Sequence, residues 1–163
     1  MAIPQRIRDF LESQDIPYEA LHHSQAFTSQ EVAHSLHVSG KVCVKAVVAE
    51  GDHETVLVVM PASHRLNFQK LKTTLKANQL EMLVESELVG LFPDCDLGAV
   101  PPFGNLYGID VWVDRAVACT EKIVFCAGTH EDCIRMRYSD FAKLARPFVG
   151  NLSDLGTAQS KAA

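Results

Sequence analysis

The sequence predicts an α+β fold: one domain with a mixed sheet flanked by helices. Three observations carry this. Helical and strand-like segments are interleaved along the chain, which disfavours an all-α or all-β class. Two valine-rich runs, Lys41–Ala49 and Thr55–Met60, are joined by Glu50-Gly51-Asp52-His53, a hairpin with a four- or five-residue loop, so the sheet is not a doubly wound parallel one. The 163 residues match a single domain of roughly 100–200 residues, with no repeat or linker that marks a second.

In order, Ile7, Phe10 and Leu11 after Pro4 give a first helical turn, and Ile16 to His22 reads as a short strand. Thr28-Ser29-Gln30-Glu31 has the form of a capping box opening a helix that carries Val32, Ala33 and Leu36 and stops near Ser39-Gly40. After the hairpin, Asn67 caps a helix through Lys76, with Phe68, Leu71 and Leu75 on one face. Val84–Leu91 forms another short helix. Prolines and glycines exclude regular structure from Phe92 to Tyr107. Ile109–Val113, Lys122–Ala127 and Cys133–Tyr138 read as strands, and Ser139 caps a helix containing Phe141, Leu144 and Ala145. Residues 1–150 make the domain; from Asn151 a small, polar tail (151–163) is expected to fray.

Composition narrows the function classes. Hydrophobic residues are 47% and charged ones 21%, values of a folded chain and not of a disordered one. Five cysteines, Cys43, Cys95, Cys119, Cys126 and Cys133, include no CxxC pair, so they read as free thiols of a reducing, cytoplasmic compartment. No apolar run approaches the ~20 residues of a membrane span, and the charged N-terminal segment is not a secretory signal. A net charge of −5 argues against a general nucleic-acid coat. It is unevenly spread, however. Thr55 to Leu80 holds Arg65, Lys70, Lys72 and Lys76 without one Asp or Glu, and with Lys41 and Lys45 this makes a candidate landing surface for a phosphate backbone, or simply a solvated face.

Three segments can carry chemistry. Lys45 sits among Val42, Val44, Val47 and Val48, so its ammonium either lies on a solvent face or is aimed at a carbonyl or phosphate oxygen. The loop Gly98-Ala99-Val100-Pro101-Pro102-Phe103-Gly104 is stiffened by proline and opened by glycine; it is either a connection or a rigid set of backbone donors for an oxyanion. His130, in Gly128-Thr129-His130, stands at a strand-end turn, where an imidazole can carry a proton or orient a substrate. His22-His23 and His34/His37 lack a completing ligand, so no metal is expected. Nucleophile-elbow, phosphate-loop and dinucleotide motifs are absent, and no cofactor is expected.

Taken in order, Gly40-Lys41-Val42-Cys43-Val44-Lys45-Ala46-Val47-Val48, Arg65-Leu66-Asn67-Phe68-Gln69-Lys70-Leu71, the Gly98–Pro102 GxxxP pattern and Gly128-Thr129-His130 resemble the YbaK/prolyl-tRNA-synthetase-associated domain family. These are freestanding relatives of the prolyl-tRNA synthetase editing insertion domain. The resemblance runs from about Gln5 to Arg146. It implies a strongly curved mixed sheet and an aminoacyl-tRNA deacylase. Such an enzyme hydrolyses the ester between a mischarged small amino acid (Ala, Cys, Ser or Thr) and a tRNA, with tRNA(Pro) expected. Lys45 then matches the family's functional lysine, Gly98–Pro102 the substrate-cradling loop, and His130 the histidine reported for some members. Gly98, Lys45 and His130 are expected to be catalytic. Ala46, Val100, Pro101, Pro102, Phe103, Gly104, Gly128 and Thr129 are expected to bind substrate, and Lys41, Arg65, Lys70, Lys72 and Lys76 the tRNA. Ala46 departs from relatives that carry Thr or Asn there, which leaves the amino acid open. The implied partners are the acceptor end of a mischarged tRNA and a synthetase such as prolyl-tRNA synthetase, with neither DNA nor membrane. A non-catalytic tRNA- or synthetase-binding module, and a small-molecule regulator, stay open beside the enzyme.

Overall fold

In the computed structural model, residues 3–23 and 29–156 are described. The two valine-rich runs form β2 (Val44–Gly51) and β3 (Glu54–Pro61), which pair antiparallel from Val44↔Pro61 to Gly51↔Glu54. Their connection is therefore a two-residue turn, tighter than the expected loop. Asp52 and His53 both take positive φ, +48° and +73°, as the primed hairpin turn requires. The Asp52 carboxylate accepts the Asn78 and Gln79 amides at 2.9 Å each, which ties down an otherwise strained tip.

Ahead of the hairpin lie α1 (Gln5–Ser13), β1 (Glu19–His22) and α2 (Ser29–Ser35). The Thr28 capping position falls outside the described residues. After it come β4 (His64–Leu66), α3 (Phe68–Leu75), β5 (Leu80–Met82) and α4 (Glu85–Leu91). Asn67 caps α3 as expected, its Oδ1 accepting the Lys70 amide at 3.0 Å. A 3-10 turn at Gly104–Tyr107 interrupts the segment expected to be irregular. Then follow β6 (Asp110–Asp114), α5 (Arg115–Ala118), β7 (Lys122–Cys126), β8 (Asp132–Arg137), α6 (Tyr138–Ala145), β9 (Phe148–Gly150) and β10 (Ser153–Leu155).

Two of these depart from expectation. Arg137, not Ser139, precedes the first residue of α6, because β8 runs straight into the helix while the Tyr138 amide still bonds Glu121 across the strand pair. The chain also does not fray at Asn151. Leu152 is fully buried, β10 pairs antiparallel with β4, and buried Asp114 accepts the Leu152 and Ser153 amides at 2.8 and 2.9 Å. Buried Leu152, the pairing with β4 and the bonds to Asp114 together anchor residues 151–156.

The sheets have the orders β5-β2-β3-β6-β9, β1-β8-β7 and β10-β4. The five-stranded one is mixed, since β3–β6 and β6–β9 are parallel while β2–β3 and β2–β5 are antiparallel. A parallel bridge, Cys43↔Val124, joins the entry of β2 to β7. Between the two larger sheets lies the main core. Val44, Val48, Leu57 and Val59 face Ile123, Phe125, Ile134 and Met136, with α1 and α6 closing its ends. The other face of β3, Val56, Val58 and Met60, packs under α3 and Leu152. Because β3 is buried on both faces it reads as an unbroken apolar run. The outer face of β7 and β8 packs with Cys43 and Ala62 under α2.

Candidate functional site

Strand alternation decides where the site residues can act. In β2, Val44, Ala46 and Val48 belong to the inner core, whereas Val47 and Ala49 belong to the outer face under α3. Lys45 shares that outer face, opposite Met60 of β3 and one alternation from Cys43, so it stands where the α2-covered and α3-covered patches meet. It is half-buried, and burial lowers its pKa below the usual lysine value. Among the described residues no carboxylate forms an ion pair with it. Lys45 is therefore neither inside the main core nor fully exposed, but partly desolvated on the outer face. Ala46 points the other way, against the main core.

The parallel bridge at Cys43↔Val124 brings the entry of β2 beside β7, two residues before Lys45 on one chain segment and two before Cys126, the last residue of β7, on the other. Just beyond lies the turn that holds Gly128, Thr129 and His130. Gly128 takes φ +94°, and its backbone binds the proline-rich loop twice: the Asp96 amide donates to Gly128 O at 2.7 Å, and the Gly128 amide to Ala99 O at 2.9 Å. The GxxxP loop and the histidine turn are therefore one construction. Within the loop Gly98 is exposed with φ +83°, Val100 is half-buried, and Pro101 and Pro102 are buried. Neither the Gly98 nor the Val100 amide meets an acceptor among the described residues. These are donors a rigid loop can turn toward an anionic oxygen.

Several expected contact residues also have a part in the scaffold. Phe103 is fully buried, with ring centroids 5.7, 5.5 and 5.4 Å from those of Phe10, Phe125 and Phe141, so its side chain supports the loop from the core. Gly104 is a close-approach position, since a Cβ there would lie 2.8 Å from Ile109 O. Thr129 is buried, donating to Asp132 Oδ2 at 2.7 Å and accepting the Glu131 and Asp132 amides, and so builds the turn. His130 is half-exposed on that turn.

The basic set is divided by residues distant in sequence. Asp154 on β10 is paired in register with Arg65 and receives the Lys70 ammonium at 2.5 Å and the Asn67 amide nitrogen at 2.6 Å. Lys70 and Asn67 together hold its carboxyl below the usual range. Lys41 and Lys76 are exposed, and Lys72 lies near enough to Asp52 to favour its ionised form. The stretch without acids in sequence is thus partly neutralised in space.

One group had no sequence signal. Arg6 lies over the Tyr107 ring at 4.6 Å and pairs with Asp94 at 3.5 Å, while the Tyr107 hydroxyl donates to Asp94 at 2.9 Å and lies 3.3 Å from Cys95 Sγ. Burial pushes the Cys95 thiol up to about 11 and raises Tyr107. This cluster clamps the start of the proline-rich loop to α1.

Comparison with known proteins follows the same residues. The aminoacyl-tRNA editing domain family matches residues 23–144. The proline–tRNA ligase of Bacillus subtilis (strain 168) is 30% identical over 113 residues, covering 69% of this chain and 20% of the ligase. That of Bacillus mycoides (strain KBAB4) is 28% identical over 103 residues, covering 63% and 18%. The chain therefore spans about a fifth of these relatives' length. A solved structure of a candidate trans-editing enzyme for prolyl-tRNA synthetase superposes with a TM-score of 0.79 at 20% identity, covering 92% of this chain and 96% of that one, which speaks to the fold.

Proposed function

Since the chain belongs to the aminoacyl-tRNA editing domain family, we propose that it is a deacylase acting in trans on tRNA that carries a wrong, small amino acid, with tRNA(Pro) the expected acceptor. The observation that carries this reading is the half-buried Lys45, without a carboxylate partner among the described residues, on the strand adjoining the one that ends in the Gly128 turn and its hydrogen-bonded loop. An aminoacyl ester is already activated. Its hydrolysis needs a held substrate, a water and stabilisation of the tetrahedral oxyanion, not a protein nucleophile. In this scheme Lys45 binds the terminal phosphate or the ester carbonyl, the Gly98 and Val100 amides set the carbonyl, and His130 orients the amino acid or the water. The terminal ribose hydroxyl can carry the proton. Shape, more than affinity, selects the amino acid, because one methylene is worth only ~1–3 kcal/mol in binding.

The test is release of amino acid from a panel of tRNAs charged with Ala, Cys, Ser, Thr or Pro. Release of one or more small residues, with prolyl-tRNA spared, is the expected result. No release from any of them, with tRNA or synthetase binding retained, would leave a binding module.

Asp154 offers a separate check on the tRNA face. Asp154→Asn removes the carboxylate beside Arg65 and Lys70, and tRNA affinity is expected to rise about two- to fivefold, the scale of one exposed ion pair. The slope of log affinity against log salt should steepen by about one. Unchanged affinity and slope would remove Arg65 and Lys70 from the tRNA surface.

A further inference from the structure

Under α2, on the outer face of β7 and β8, three of the five thiols gather away from any role in the proposed hydrolysis. Cys126 and Cys133 are direct cross-strand partners. The next pair along, Ala127 and Asp132, is joined by the Ala127 amide to Asp132 O at 3.0 Å. Antiparallel pairs alternate, so Cys126 and Cys133 occupy a non-hydrogen-bonded position, where Cα atoms stand about 4.5 Å apart. That separation lies within the about 4.4–6.8 Å that a disulfide spans. As directly opposed residues, both side chains stand on the same face of the strand pair. Cys43 lies near enough to both to interact electrostatically, and His23 Nε2 is 3.4 Å from Cys133 Sγ. Among the described residues no group of three or more His, Cys, Asp or Glu is arranged to hold a metal ion.

We propose that Cys126 and Cys133 form a reversible oxidation site that closes to a cross-strand disulfide in the presence of a hydroperoxide. Accessibility and the neighbouring imidazole assign the roles. Cys126 is partly exposed, whereas Cys133 is buried with its sulfur 3.4 Å from His23 Nε2. The thiolate of Cys126 therefore attacks first. Its sulfur takes the terminal peroxide oxygen with its hydrogen, the O–O bond breaks, and the departing alkoxide (hydroxide, for hydrogen peroxide) takes up the proton that the thiol released and leaves as the alcohol or water, giving a sulfenic acid. Cys133 then gives its proton to His23, forms the S–S bond and displaces the sulfenic hydroxyl, which takes that proton back from His23 and leaves as water. The two thiols together lose two electrons, both taken up by the peroxide. A dithiol reverses the reaction by exchange.

The position gives the bond a consequence that rests on the deacylase reading. Cys126 ends the strand that leads into the Gly128–His130 turn and that bridges the entry of β2 just before Lys45, so tying it to Cys133 restricts the framework between those residues.

The experiment uses the reduced full chain, exposed to graded hydrogen peroxide, alkylated with iodoacetamide and mapped without reduction. Cleavage after Glu121 and Glu131 separates the two cysteines, so a disulfide appears as a linked peptide pair. The expected result is a Cys126–Cys133 link that forms while Cys43 and Cys95 remain alkylatable, and that dithiothreitol removes. In Cys133→Ser, Cys126 should be trapped by dimedone as sulfenic acid. A link to Cys43 in its place, or full alkylation of both cysteines when exposed Cys119 is already oxidised, overturns the site. Mapping reads the site whether or not the chain deacylates any tRNA. On a substrate found in the panel, oxidised protein should be slower and recover with dithiothreitol. An unchanged rate at complete linkage overturns the consequence while leaving the site in place.

Discussion

Lys45→Ala is expected to slow deacylation of the substrate found in the panel by about 10²–10³-fold, the loss that follows removal of one donor to a developing oxyanion. The chain should stay folded, because Lys45 is only half-buried and forms no ion pair among the described residues. Lys45→Arg separates charge from shape. The guanidinium keeps the charge but is a planar fork in place of a compact ammonium, so substrate binding should survive better than turnover. Burial lowers the Lys45 pKa, so its charged form is lost earlier on the alkaline side than an exposed lysine's. Activity that depends on that charge should fall with rising pH in the wild type, and the residual activity of Lys45→Ala should lack this alkaline limb. Full activity in Lys45→Ala would take the lysine out of the mechanism. A uniform loss of tRNA affinity with an unchanged single-turnover rate would assign it to phosphate binding alone.

What the sequence makes legible here follows from range. The β2–β3 hairpin is readable because its residues pair with neighbours in the chain, and β3 because burial on both faces leaves an apolar run. Asn67 is readable because a cap acts over three residues. By contrast β5 and β9 have three residues each, too few to show a period, and exist because a longer strand lies beside them, while three-residue β4 exists through its pairing with the distant β10. The site divides in the same way. Lys45 draws notice as a cation within a valine run, yet only the register shows that it leaves the main core while Ala46 faces it. Phe103 and Thr129 fall inside the motifs, but spacing cannot tell a residue that touches substrate from one that holds up the loop. Charge misleads most. Lys70 meets Asp154 across a sequence separation of 84, and a local count of basic residues cannot contain that carboxylate.

The joint between the loop and the histidine turn gives the second large effect. Gly128 has φ +94°, and a Cβ added there would lie 2.6 Å from both Cγ and Cδ of Pro4. The obstacle is a closed ring at the entry to α1, whose carbonyl accepts the Ile7 amide at 3.0 Å, so it cannot swing aside as a flexible side chain would. Gly128→Ala should therefore destabilise the chain by roughly 2–4 kcal/mol, combining backbone strain with overpacking. Gly108 is the matched control. It too has positive φ, +73°, but nothing lies within 4 Å of its added Cβ, so Gly108→Ala should cost only about 1–2 kcal/mol. Urea unfolding of the two variants measures the difference. Pro4→Ala in the Gly128→Ala background removes the ring atoms and should bring the cost down toward that of Gly108→Ala; equal losses in both single variants, or no recovery in the double, would sink the steric account. The functional reading adds a second expectation. The Gly128 amide and carbonyl hold Ala99 and Asp96, so a displaced turn moves the proline-rich loop with it. Under conditions where Gly128→Ala is still folded, deacylation should fall by more than its loss of folded population explains, whereas Gly108→Ala should lose activity only in step with its folded fraction.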